Sequence, residues 1–316
     1  MKYCDPRLDV TFKKVFGQNK ELLLSFLNAL LPLEGDHVIE SIEYLTPEMI
    51  PEIKEAKYSV VDVQCQDKAG RKFLVEMQMV WSEEFKSRVL FNASKAYASQ
   101  LMIGDNYKLL QPVYSLNIVN DIFETDLPDD EYYHYYQLVH SRHTEKVIEG
   151  LHIAFVELPK FKPETEKGKE MLNLWLRFMT EVNERTRVVA EELMANPLIH
   201  QAVTLMEVAA MTDRERYAYE KNIDNIRVER AIMRTTKEKG LAEGRAEGRA
   251  EGRAEGRAEG IAEGRAEGEK IGIAKGKEIG IAEGFEQGRA AEREMLADRM
   301  REAGIDPSTI DRIIQL

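Results

Sequence analysis

Residues 57–80 read KYSVVDVQCQDKAGRKFLVEMQMV and have the pattern of a β-hairpin. Both flanks are rich in β-branched and aromatic residues with period-2 patterning, and the break between them, residues 67–70, is polar and contains glycine. Successive side chains of a strand point to opposite faces of a sheet. Asp62, Glu76 and Gln78 can therefore share one face of this hairpin.

The loop length predicts the register of the hairpin. A three-residue loop that ends with Gly70 in the left-handed conformation is a common connection, and it pairs Asp67 with Arg71. Counting back from that pair sets Asp62 opposite Glu76. A loop one residue longer or shorter would offset this pairing and move the side chains of one strand to the other face of the sheet. Like charges directly opposed in a sheet are destabilising, so two facing carboxylates need a cation, a shared proton or a functional role. A hard divalent cation such as Mg²⁺, held by carboxylates and substrate phosphate oxygens, meets this need.

This pattern resembles the core motif of the PD-(D/E)XK nuclease superfamily, in which an aspartate precedes a Glu-x-Lys triplet on the next strand. Asp62, then thirteen residues, then Glu76-Met77-Gln78 is the match, and the chain is similar to the branch of recombination-promoting nucleases and transposases of that superfamily. The usual lysine is Gln78 here, as this branch commonly has it, so no cationic side chain stands at that position. The similarity covers nearly the whole chain, reappears in the glycine-rich tail, and includes Asp9, Phe12-Lys13-Lys14-Val15-Phe16-Gly17, Leu27-Asn28-Ala29-Leu30-Leu31, Arg88, Gly104-Asp105-Asn106-Tyr107, Leu110-Gln111-Pro112-Val113-Tyr114 and Glu157-Leu158-Pro159-Lys160-Phe161.

The resemblance implies a set of catalytic residues and a metal. Asp62, Glu76 and the backbone carbonyl of Met77 would hold Mg²⁺, with Mn²⁺ as a substitute. Gln78 would orient the attacking water by hydrogen bonding. Asp9 would bind the metal or position its hydration; the alternative is a first-turn acid that the helix macrodipole favours.

Three cationic side chains are candidate contacts with DNA phosphates. Arg88 is the favoured one, because a guanidinium can hold a phosphate with two parallel hydrogen bonds, and a salt bridge to a nearby glutamate is the alternative. Lys57 matches the branch and would otherwise be an edge-strand lysine that discourages aggregation. Lys13, next to Lys14, would otherwise belong to a solvated helix face.

The composition predicts a folded, soluble protein with a sizeable core. The chain has 316 residues, 43% of them hydrophobic, and no apolar run approaches the eighteen residues of a membrane span. The first residues lack the apolar core of a secretory signal, so we expect a cytoplasmic protein without a membrane segment. Two cysteines, Cys4 and Cys65, do not form a disulfide framework.

The net charge of −12 argues against a globally basic DNA-binding protein. From Lys237 onward there are 15 basic and 18 acidic residues, a net charge of −3, which leaves −9 for residues 1–236. Because phosphate contacts carry most nonspecific affinity for DNA, binding requires a local basic surface or divalent cations.

The order of elements favours a mixed α/β fold, restriction-endonuclease-like, with a mixed sheet flanked by helices, rather than a strictly alternating doubly wound sheet. A helix that Gly104 ends is expected after the hairpin. Hydrophobic periodicity predicts helices over residues 7–17, 19–31 and 83–103, and strands near residues 41–45, 112–119, 134–140 and 151–156.

Four regions are expected along the chain. They are a nuclease-like domain over residues 1–163, a helical subdomain over residues 164–236, a helical or partly disordered repeat with glycine at every fourth position over residues 237–290, and a helical hairpin over residues 291–316.

The repeat places thirteen glycines between Gly240 and Gly288, mostly as Arg-Ala-Glu-Gly. Like charges four residues apart and frequent glycine make an isolated helix weak. The repeat either frays or pairs its opposed glutamate and arginine stripes between neighbouring helices, which would make a homo-oligomer through the tail, although an apolar heptad seam of a coiled coil is absent.

Two functional hypotheses remain from the sequence. The first is a metal-dependent endonuclease that hydrolyses DNA phosphodiester bonds and promotes recombination. The second is a catalytically weak or inactive binding or scaffold protein on a nuclease-like fold, self-associated through its tail, which the acidic body and the missing lysine favour. A third class, an enzyme acting on another polar substrate, has no pocket motif in the sequence.

Overall fold

The structure is a computed structural model that describes residues 2–49, 59–163 and 170–314. The chain forms two compact units, Met1–Arg234 and Thr235–Leu316. The fourfold division expected from the sequence stays a prediction.

The first unit is built on a mixed β-sheet. The strands among the described residues are β1 (Ile42–Leu45), β2 (Glu48–Met49), β3 (Ser59–Val60), β4 (Val63–Asp67), β5 (Lys72–Gln78), β6 (Val113–Val119), β7 (Tyr133–His140) and β8 (His143–Glu157). Six of these strands form the sheet in the order β1-β4-β5-β6-β8-β7; the pairs β5–β6 and β6–β8 are parallel and the other three are antiparallel. The predicted mixed α/β class is confirmed. The helices among them are α1 (Asp9–Phe16), α2 (Lys20–Leu30), α3 (Glu83–Ala98), α4 (Glu170–Glu181), α5 (Glu191–Ala195), α6 (Pro197–Leu205), α7 (Asp213–Glu302) and α8 (Pro307–Ile314).

The β4–β5 hairpin has the register that its loop predicts. Val63 pairs with Val75, and Gly70 has a φ of 84°, the left-handed conformation that glycine adopts without steric cost. Arg71 closes the loop by donating from Nε to Asp67 Oδ2 at 2.6 Å, and both side chains are buried. This ion pair and the glycine fix the register, because a shift of one residue would break the first and displace the second.

The first strand of the hairpin is shorter than the sequence indicates. Asp62 lies at a bend just before β4, and β3, upstream of it, pairs with β2 in a separate two-stranded sheet. Local periodicity does not predict β2, because a two-residue strand is stabilised by its partner rather than by its own pattern.

Helices α1, α2, α4 and α6 pack with one face of the sheet into a single apolar core. Phe16, Phe26 and Trp175 meet in this core with ring centroids 4.3 to 5.6 Å apart. Trp175 also donates from Nε1 to Ser25 Oγ at 3.0 Å, so its polar atom is satisfied in the core. The core therefore joins helices from both ends of the first unit to the central strands.

Helix α3 covers the other face of the sheet with an apolar stripe that contains Phe85, Val89, Ala93 and Ala96. It ends at Ala98, however, and not at Gly104 as expected. The side chain of Gln100 exchanges two hydrogen bonds of 2.9 Å with the backbone of Gln111, which ties the chain after α3 to the start of β6. Gly104, with a φ of 96°, lies in the turn that follows.

In the second unit, α8 follows the C-terminal end of α7. Gly304 has a φ of 75°, and the Ile305 N–H donates to the Met300 carbonyl at 3.1 Å, which is a glycine-dependent helix ending. Helix α8 begins at Pro307, and Ile310 is buried.

Glu157, at the end of β8, is fully buried in the first unit and surrounded by hydrogen-bond donors. It accepts hydrogen bonds from Lys160 Nζ at 2.8 Å, from His134 Nε2 at 3.0 Å and from the N–H groups of Phe123 and Glu124. Although burial opposes its ionisation, these donors hold the pKa of Glu157 below its ordinary value. The cluster anchors the chain after β6 to the end of β8.

Replacing Lys160 with methionine removes the buried cation and leaves the Glu157 carboxylate without a counter-charge. We expect Lys160→Met to lower the free energy of unfolding by about 3 kcal/mol, measured from urea unfolding of the full chain. Lys162→Met is the matched control, because Lys162 is exposed, and its effect should stay within about 0.5 kcal/mol. Equal effects of the two substitutions would contradict the assigned role of Lys160.

Candidate active site

The β4–β5 register brings Asp62 and Glu76 to the same end of the hairpin. Val63 pairs with Val75, so the next position outward sets Asp62 beside Glu76. Asp62 Oδ2 accepts a hydrogen bond from the Met77 N–H at 2.7 Å, which attaches the bend to β5. Because the N–H and C=O of one strand residue point to the same side, the Met77 carbonyl also points to the β4 side of β5.

Glu76 lies on the sheet face that α3 covers, and it is buried. Its Oε1 accepts a hydrogen bond from Asn92 Nδ2 at 3.0 Å, and its Oε2 lies 3.5 Å from Arg88 Nη2. Arg88 and Asn92 are four residues apart, so they project from the same face of α3. One helix therefore supplies both side-chain partners that the structure shows for the Glu76 carboxylate.

Gln78, at the position of the missing lysine, is hydrogen-bonded at both ends of its amide. Its Oε1 accepts from Arg88 Nη2 at 2.8 Å, and its Nε2 donates to the Val80 carbonyl at 2.7 Å. Each end of the amide keeps one further site, a lone pair on Oε1 and an N–H on Nε2, so these bonds are compatible with the predicted role of Gln78 in orienting a water. The side chain of Arg88 is about half exposed, 49%, so its guanidinium remains accessible to a ligand.

Asp9 and Lys13, on α1, stand next to Asp62. Lys13 Nζ lies 2.6 Å from Asp9 Oδ1 and 3.8 Å from Asp62 Oδ1. Asp9 also occupies the first turn of α1, where the helix macrodipole favours an acid. The structure is thus compatible with both interpretations of Asp9, and it brings Lys13 to the acidic pair.

The electrostatic environment of Asp62 differs from that of an exposed aspartate. Burial raises the pKa of Asp62 to about 7, against the opposing effects of the Met77 N–H and of Lys13. Repulsion from Asp9 and Glu76 raises it further. These three acids therefore act on one another across a single site.

Glu76 is perturbed in the same direction. Burial raises the pKa of Glu76, and the hydrogen bond from Asn92 and the charge of Arg88 oppose this rise. Two carboxyl groups with raised pKa values at one end of a hairpin are characteristic of functional sites, where burial is tolerated for chemistry.

The hydrogen bonds leave one oxygen of each carboxylate open to a cation. Asp62 Oδ2 and Glu76 Oε1 accept from neutral N–H donors, whereas Asp62 Oδ1 and Glu76 Oε2 face only the cationic nitrogens of Lys13 and Arg88, at 3.8 and 3.5 Å. These two oxygens and the Met77 carbonyl form an oxygen-only donor set of the kind that Mg²⁺ and Mn²⁺ prefer. The residues present therefore fit a divalent cation.

The protein alone does not provide a complete coordination sphere in the described ranges. No group of three or more His, Cys, Asp or Glu side chains that could hold a metal lies within residues 2–49, 59–163 and 170–314. Lys57, predicted as a phosphate contact, lies outside the described residues.

Asn92 is the residue of this site that sequence reasoning missed. It is fully buried, although it lies in α3 among apolar residues. An amide within an otherwise apolar helix stripe, four residues after the favoured phosphate contact Arg88, was the available signal.

A family model described as a PD-(D/E)XK nuclease family transposase matches residues 6–235. A search of the curated proteins and a search of the solved structures found no match. No helix in the described part of the chain combines the length and apolarity that crossing a bilayer requires.

The raised pKa of Asp62 predicts a pH-dependent stability of the metal-free protein. An acid whose pKa is higher in the folded state stabilises that state while protonated, so this contribution is complete below the unfolded value of 3.8 and is lost as the pH rises through about 7. Asp62→Asn imitates the protonated form. Its stability relative to the wild type should therefore rise between pH 5 and pH 8 by on the order of 2 kcal/mol, measured by urea unfolding in EDTA.

Asp126→Asn, the same change at an exposed carboxylate, controls for the loss of one negative charge. An advantage of Asp62→Asn that does not change between the two pH values would contradict the assigned environment of Asp62.

Proposed function

This chain belongs to the PD-(D/E)XK nuclease family of transposases, and on that premise we propose that it is a divalent-metal-dependent endonuclease that hydrolyses DNA phosphodiester bonds. The observation that carries the proposal is the convergence of Asp62 and Glu76, each with one oxygen held by a neutral N–H and the other left to a cation. Cleavage of this kind would promote recombination, because recombination starts from broken strands.

The metal ligands in this proposal are Asp62 Oδ1, Glu76 Oε2 and the Met77 carbonyl, with Asp9 near enough to position hydrating water. These residues would hold Mg²⁺, or Mn²⁺ in its place, and the ion would supply an activated water and neutralise charge on the scissile phosphate. The Met77 N–H and Asn92 keep the two carboxylates oriented, because their hydrogen bonds use the oxygens that do not face the cation.

Two cationic side chains supply the positive charge that Gln78 lacks. Lys13 reaches the site from α1 and Arg88 reaches it from α3, so they approach from elements on opposite faces of the sheet. Arg88 is half exposed and has guanidinium donors left for a phosphate after its bond to Gln78. We assign phosphate binding to Arg88 and Lys13.

The charge of the site explains how an acidic protein could bind DNA. Three acids, Asp9, Asp62 and Glu76, outnumber the cations Lys13 and Arg88 by one when all are ionised. One divalent cation reverses the sign of the sum to +1. DNA binding by this protein should therefore depend on the metal as well as on its side chains. Self-association through the glycine-periodic tail is a separate proposal that this mechanism does not require.

Cleavage tests the proposal. Supercoiled plasmid incubated with the full chain should be nicked in Mg²⁺ and not in EDTA. Asp62→Asn and Glu76→Gln should each lower the nicking rate at least about 100-fold, because each removes a charged metal ligand. Glu84→Gln, at an exposed position of α3, is the matched control and should retain wild-type activity.

Nicking that neither site substitution affects would overturn the assignment. Binding of Mn²⁺ without any nicking would favour the non-catalytic alternative instead.

Phosphate binding by Arg88 is tested separately from cleavage. In Ca²⁺, which supports binding in place of Mg²⁺, Arg88→Ala should weaken DNA affinity and reduce the slope of log K against log salt by about 1, as expected for one lost phosphate contact. Arg187→Ala, an exposed arginine outside the site, should leave the slope unchanged. If the two variants have equal slopes, Arg88 does not contact phosphate.

A further inference from the structure

Asn92 has an amide side chain at a buried position where packing of the core alone would favour an apolar residue. It lies fully buried in α3 among Phe85, Val89, Ala93 and Ala96, and it donates from Nδ2 to Glu76 Oε1 at 3.0 Å. Its Oδ1 is buried and has no hydrogen-bond partner among the residues that the structure describes. A buried polar atom without a partner lowers stability, so an apolar residue would serve the core better here.

We infer that Asn92 is a positioning residue for the metal site, which fixes the Glu76 carboxylate so that Oε2 is the oxygen offered to the cation. The inference rests on the proposed function, since it concerns the same metal. An N–H donor on Oε1 removes one of the two carboxylate oxygens from competition for the ion. The carboxylate then presents one oxygen at a fixed position.

Asn92 and Arg88 hold the same carboxylate in different ways. Arg88 is cationic and half exposed, and its Nη2 lies 3.5 Å from the oxygen that the metal would use, so it must give up this contact when the metal binds. Asn92 is neutral, buried and bonded to the other oxygen, so its hydrogen bond can persist in both states. Arg88 is therefore free to bind a phosphate, while Asn92 keeps the Glu76 carboxylate in place.

The neutral charge of Asn92 suits this position beside Glu76. Asparagine provides an N–H donor without charge, whereas a lysine or arginine there would compete with the metal electrostatically.

Calorimetry of Mn²⁺ binding to the full chain without DNA tests the inference. Asn92→Leu removes the donor and keeps a similar volume. It should weaken Mn²⁺ binding by about 10- to 100-fold at pH 7, the range found when partners of metal ligands are removed. The melting temperature in EDTA should not fall, since the unpartnered Oδ1 is removed as well.

Asn28→Leu is the matched control. The Asn28 amide in α2 exchanges two hydrogen bonds with the Ile39 backbone, at 2.8 and 2.9 Å, so its replacement should lower the melting temperature and leave Mn²⁺ affinity unchanged. If Asn92→Leu does not fold, Asn92→Ala, which lacks the donor and adds neither charge nor volume, should show the same loss of Mn²⁺ affinity.

The outcomes separate this inference from the proposed function. Wild-type affinity for Mn²⁺ in the Asn92 variants, with or without a lower melting temperature, would overturn the inference alone and make Asn92 a core residue. No Mn²⁺ binding by the wild-type protein would overturn the metal-dependent function and this inference with it.

Discussion

The Met77 N–H bond to Asp62 Oδ2 is the interaction on which the candidate site depends. It holds a residue that is outside the strands against the strand that carries Glu76, so two carboxylates meet at a buried edge where their repulsion is not screened by water. The surrounding structure compensates for this repulsion from three directions. Lys13 approaches from α1, Arg88 and Asn92 approach from α3, and the backbone of β5 contributes its own donor.

The fold explains why these three directions converge. The sheet separates the core that α1 and α2 share from the layer that α3 forms, and β4 and β5 lie between them. Asp62 and Glu76 lie at the end of this hairpin, where Lys13 from one layer and Arg88 from the other can both reach them. The Asp67–Arg71 ion pair at the opposite end of the hairpin is far from the chemistry, yet it sets the register on which the meeting of Asp62 and Glu76 depends.

The replacement of the superfamily lysine by Gln78 changes how charge is distributed and need not remove it. Gln78 uses both ends of its amide within the protein, one of them to hold Arg88. A neutral residue at this position thus places a cation from another element beside the acidic pair. A half-exposed arginine offers several guanidinium donors, so Arg88 can serve both the carboxylates and a phosphate.

The sequence alone predicted the hairpin, its register and the alternation of its faces. It predicted as well the helices that flank the hairpin and the pairing of Asp62 with Glu76, because loop length and period-2 or period-3.6 patterns are local properties of the chain. It also identified Arg88 and left open whether a glutamate or a phosphate is its partner. The packed structure was needed to show that Glu76 is that partner in the metal-free protein and that Asn92 holds the other oxygen of Glu76. It also showed that Lys13 stands beside Asp62 and that Gln78 is already bonded at both ends. It also decided that α3 ends at Ala98, where Gln100 bonds to Gln111, and that β3 leaves the hairpin to pair with β2. Except for the bond from Gln78 to the Val80 carbonyl, each of these contacts joins residues at least ten positions apart. No local pattern encodes such contacts, so they arise only when the layers pack together.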